Sequence, residues 1–88
     1  IFSGSTDNFS GYYYSEIILD KGHFLFSFSE ETSNGSIEFI LHNQAEEVLL
    51  KLSESANNLP IDIVEKEKYT IKIAGVEHVG KFIIQWDK

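Results

Sequence analysis

The feature that most limits what this chain can fold into is the regular alternation of its apolar side chains. Phe24, Phe26 and Phe28 fall at every second position, as do Ile37, Phe39 and Leu41, then Ile71 and Ile73 after Tyr69, and finally Phe82, Ile84 and Trp86. Period two is the spacing of a β-strand that buries one face, because successive side chains point to opposite sides. Five segments carry this signature: Tyr12 to Asp20, His23 to Glu30, Ser36 to His42, Tyr69 to Ala74, and Lys81 to Asp87. The sequences between them have turn chemistry. Asp20-Lys21-Gly22 suits a tight turn, Asn34-Gly35 is the dipeptide that tolerates positive φ in a hairpin, and Gly75 and Gly80 bracket the last connection.

The middle of the chain admits two local readings. Asn43 followed by Glu46 resembles a helix capping box, and Ala45, Val48, Leu49, Leu52 and Ala56 share one helical face, which allows a short helix near 44–54. Val48, Leu50 and Leu52 also alternate as a strand would, after a polar stretch that suits a hairpin tip. Leu59 to Val64, with Pro60 near its start, reads as a further strand at a sheet edge. The expected fold is therefore all-β: an antiparallel β-sandwich, jelly-roll-like or immunoglobulin-like, of about seven strands. A single sheet is not expected to cover this many aromatic side chains. Residues 1–11, rich in Ser and Gly, read as a flexible N-terminal arm, and residues 12–88 as the sandwich domain.

Composition narrows the function classes. A chain of 88 residues holds one compact domain, and with no cysteine its core must rest on packing, without disulfides or thiolate metal ligands. Fourteen acids face seven basic residues, all lysines, giving a formal charge of −7. Without arginine or a clustered basic patch, nucleic acid is not an expected partner. The longest apolar runs, such as Phe82 to Ile84, are far short of the roughly 18 residues a spanning helix needs. Nor does the start at Ile1 locate the protein, so localisation has to be argued from other features.

The order of features goes beyond a generic β-pattern. Tyr12-Tyr13-Tyr14 leads into Ile17 and Leu19, then Lys21-Gly22 and His23-Phe24-Leu25-Phe26; near the end YTIKIAG (Tyr69 to Gly75) is followed by GKFIIQW (Gly80 to Trp86). This resembles the small β-sandwich domains of bacterial secreted and surface proteins, similar to the pre-peptidase C-terminal type and to uncharacterised lipoprotein domains of Gram-positive bacteria. The resemblance spans roughly residues 12–87. It implies an extracytoplasmic accessory domain, secreted or lipid-anchored at the cell surface, with no shared catalytic residues to carry over.

The residues themselves offer no catalytic or metal pattern. His23, His42 and His78, with Glu30, Glu38 or Glu77, lack ligand-like spacing, and the oxygen-rich stretch Glu30 to Asn34 lacks the arrangement of a dedicated calcium loop. No nucleophile elbow and no glycine-rich phosphate loop is present. The expectation is a protein that is not an enzyme and uses no cofactor. Two candidate binding features remain. Ile18, Ile40 and Ile83 occupy outward positions where a solvated sheet would be polar, and if their strands align they form an apolar patch for another protein, a cell-wall component or weak self-association. Tyr12 and Tyr14 share one strand face and could stack sugar rings, so carbohydrate binding is the alternative.

Overall fold

The computed structural model describes residues 1–88 and contains five strands: β1 (Phe2–Leu19), β2 (Gly22–Asn43), β3 (Val48–Leu52), β4 (Ala56–Ile63) and β5 (Glu67–Asp87). Strands take up 84% of the chain, which leaves no helix. All pairings are antiparallel and all belong to one sheet, with β5 between β1 and β2. The far edge of β2 is shared, since its first part (Gly22 to Phe28) pairs with β4 and its last part (Phe39 to His42) with β3.

Three strands are too long to lie straight. At about 3.3 Å per residue the 22 residues of β2 would span about 70 Å. The longest dimension of the molecule is 38 Å. The sheet must therefore fold over on itself, and the pairing shows where. Register irregularities fall at Thr6 to Gly11 in β1 and at Thr32 to Ser36 in β2, both against β5 near Glu77 to Gly80. Such bulges bend a strand sharply. Asn8, Gly35 and Glu77 take positive φ at this level, at 57°, 73° and 48°.

Side chains replace the ladder bonds lost in the bend. Asn34 Nδ2 donates to the Glu77 carbonyl (3.1 Å), Ser33 Oγ to the Val79 carbonyl (3.0 Å), and the Glu77 N–H to Ser10 Oγ (2.9 Å). At the centre His78 is fully buried. Its Nδ1 lies 2.5 Å from Thr6 Oγ1 and its Nε2 2.9 Å from Thr32 Oγ1, so the ring ties β5 to both neighbours. Thr6 also donates to the His78 carbonyl, and Thr32 to the Glu30 carboxylate.

The bend brings two inner faces together around a core of fourteen buried side chains. The inward residues are Phe24, Phe26 and Phe28 before the bend and Ile37, Phe39 and Leu41 after it, so the strand exchanges even for odd positions as it turns. The Phe28 and Phe39 rings, eleven residues apart in one strand, meet with centroids 5.6 Å apart. The alternation thus predicts the core correctly: Ile71, Ile73, Phe82 and Ile84 are buried, and Trp86 is half-buried and stacked on Phe26 at 5.7 Å.

Several expectations are corrected. There are five strands where about seven were expected, because two predicted connections are not chain reversals, and one sheet covers the aromatic rings because it folds over on itself. Asn34-Gly35 is a bend within β2, and the span from Gly75 to Gly80 lies within β5. Residues 2–11, read as an arm, are the first part of β1, where Phe9 packs so closely over Gly75 that a Cβ there would lie 2.5 Å from its ring. The residues near 44–54 hold a turn and β3, with no helix. Asn43 does use its side chain as a cap, with Oδ1 accepting from the N–H groups of Ala45 (3.0 Å) and Glu47 (2.9 Å), but what it caps is the β2–β3 turn. Pro60 lies in β4, which pairs on one side only, as an edge strand with proline should.

Candidate functional site

Beyond the bend, β1 presents Tyr12, Tyr14, Glu16 and Ile18 to solvent, while Leu19 faces the core. Tyr12 and Tyr14 are 62% and 55% exposed, far more than rings recruited to a core. Their centroids are 6.3 Å apart and their planes tilted by 37°. On the adjacent strand Lys72 pairs with Tyr14, and its Nζ stands 4.1 Å from the Tyr12 centroid and 5.8 Å from that of Tyr14. A cation over two ring faces is attracted by their negative quadrupoles, which favours one arrangement of three otherwise mobile side chains. The row continues from Lys72 to Ile40 and Lys51, and a shallow depression forms between Tyr14, Ile40, His42, Glu46 and Val48.

The three candidate isoleucines do not meet. Ile18 lies opposite Lys68, and Ile40 lies between Lys72 and Lys51 on the same stretch of sheet as the tyrosines. Ile83 lies beyond the bend, between Ser3 and Ser29, on the other layer. Their strands do share a sheet, but a contiguous patch would require those strands to be straight. Phe2 and Phe9 do not cover the isoleucines either, since both pack against the core.

A concave site that sequence reasoning missed opens where the two layers diverge under β1. It has a volume of about 270 Å³ and is walled by Phe2, Phe9, Tyr13, Ile73 and Phe82, with Thr6 at its polar side. Phe2 stacks on Tyr13 (5.7 Å, 19°) and meets Phe82 edge-on (5.7 Å, 63°), joining the layers at its mouth. The available signal was the alternation of Phe2, Gly4 and Thr6 within the supposed arm. Gly4 is small because the Phe82 ring lies 3.0 Å from where a Cβ would stand.

The titratable groups are dispersed. His23 pairs with Asp62 on the surface, His42 Nδ1 donates to the Asn43 carbonyl (2.9 Å), and His78 is held in the bend. No three His, Asp or Glu side chains converge as metal ligands would. Lys66 with Asp20 and Lys68 with Glu16 are exposed pairs at 3.7 Å, a class of contact that contributes little to stability. Burial raises the Tyr69 phenol above its usual value of 10.0, and the charges of Glu67 and Glu65 add to the shift. No family model and no curated protein sequence matches the chain.

Proposed function

We propose that the chain is a non-catalytic, exported accessory domain that contacts another protein or the cell envelope through one outer face of its sheet. The observation that carries this reading is the exposed pair Tyr12 and Tyr14 with Lys72 set between them on paired strands. Tyrosine is enriched at protein contacts because it offers a large area at low rotamer cost, and Ile18 and Ile40 extend the same face. Export rests on the resemblance to small bacterial secreted and surface domains, and the folded sheet serves as their sandwich-type scaffold. Carbohydrate binding is the second reading, favoured by the same two rings. Against it, Lys72 already covers one face of the Tyr12 ring.

The test is a photo-crosslinking residue at position 14, with position 27 on the other layer as control, in washed envelope preparations. A discrete protein adduct at 14 and none at 27 supports the reading; equal labelling, or none, overturns it. Quenching of tyrosine fluorescence by soluble glycans, abolished in a Tyr12→Ser, Tyr14→Ser variant, would move the assignment to carbohydrate.

A further inference from the structure

The sheet has three outer edges, β1, β3 and β4, and two of them carry features that discourage further pairing. β3 is five residues long and carries Lys51. β4 contains Pro60 and a bulge beside Asn58, whose φ is 55°. Between them β2 is uncovered only where it crosses the bend. Short length, lysine, proline and bulges are the devices by which proteins keep edge strands from pairing. β1 lacks them over Gly11 to Leu19. These nine residues pair with β5 without a register shift, contain no Pro or Lys, and have no strand on their other side.

We propose that this edge pairs antiparallel with the same edge of a second copy of the chain, in a register centred on Ser15. That centre is the midpoint of Gly11 to Leu19, so it is the register that uses all nine residues. It places Tyr12 opposite Ile18 and Tyr13 opposite Ile17, the aromatic with β-branched combination that stabilises cross-strand pairs. Glu16, the sole charge in the stretch, then meets Tyr14 of the second copy, beside the Lys72 ammonium that stands 5.8 Å from that ring. Moving the centre to Glu16 would set two carboxylates face to face and shorten the overlap. Each chain carries a formal charge of −7, so the copies repel at long range and added salt strengthens their association.

The chain has no cysteine, which makes single-cysteine variants clean reporters of this register. Residues directly opposed in an antiparallel pair have Cα atoms about 4.5–5.5 Å apart, within disulfide range. Ser15→Cys, a near-isosteric change, is therefore expected to oxidise to a covalent dimer. Tyr13→Cys and Ile17→Cys are expected to crosslink when mixed and not alone, because residue 13 lies about 13 Å along the strand from its own copy. Wild-type sedimentation should rise with concentration and with salt. The proposal is overturned if Ser15→Cys crosslinks no faster than Ile83→Cys on the other layer, or if Tyr13→Cys alone matches it. A wild-type chain that sediments as a monomer at every salt and concentration overturns it too. Because the proposal uses the strand edge, its failure would leave the face reading standing, and the position-14 crosslink tests that separately.

Discussion

Replacing Gly35 with alanine is expected to destabilise the fold by about 2–5 kcal/mol, and the size of the loss distinguishes a bend from a hairpin. Gly35 has φ +73°, a conformation that costs an alanine about 1–2 kcal/mol. In a free hairpin tip that would be the whole effect. Here a Cβ would also lie 2.2 Å from the carbonyl oxygens of both Val76 and Glu77, backbone atoms that cannot rotate away. Relieving such overlap by opening the packed strands costs about 1–3 kcal/mol more. Gly11 is the internal control, with φ +120° and nothing within 4 Å of its Cβ position, so Gly11→Ala reports backbone strain alone. Urea denaturation followed by the fluorescence of Trp86, which stacks on Phe26, measures both variants. For a chain of this length, whose total stability is about 4–13 kcal/mol, the Gly35 loss is large. A Gly35→Ala variant no less stable than Gly11→Ala would refute the close approach of β2 to β5 at the bend.

Three further outcomes follow from the same geometry. Asn43→Ala removes the acceptor of two turn N–H groups and should cost about 1 kcal/mol, read as a fall in melting temperature of about 4–8 °C. His78→Leu removes both ring bonds, but Thr6 keeps the residue 78 carbonyl and Thr32 keeps Glu30, so urea denaturation should show a loss of only about 1–3 kcal/mol. Tyr69 holds its proton more tightly in the folded chain, through burial and then Glu67 and Glu65, so above pH about 10 the unfolded chain binds fewer protons. Stability should therefore hold below that pH and fall as pH rises through the raised folded value. Tyr69→Phe should flatten that decline, which alkaline denaturation curves would show.

Much of the core was legible from spacing alone. Period two selects Phe24, Phe26, Phe28, Ile37, Phe39 and Leu41 whatever their strands pair with, because alternation depends only on the backbone of each strand. Alternation also places Tyr12 and Tyr14 on one face, but not their exposure, since Tyr13 on the opposite face is exposed to the same degree. Lys72 as their partner was not, since it required knowing that β5 lies beside β1. The cleft under β1 stayed hidden because Phe2 and Phe9 lie in a stretch whose Ser and Gly content suggests a loose arm.

The sequence alone determined that the chain is mostly strand, which side chains of the alternating segments face inward, and where the Asp20 to Gly22 turn falls. The tertiary structure decided how many strands there are. Asn34-Gly35 favours positive φ, and a hairpin and a bulged bend both need it, so the dipeptide cannot say whether the chain reverses or only turns a corner. The pairing of β2 with β5 on both sides of the bend decides that, with Thr6, Thr32 and His78 meeting there from positions up to 72 residues apart. The same bend carries Ile83 away from Ile18 and Ile40. Local period fixes the face a residue occupies, whereas its neighbours on that face depend on pairings between distant segments.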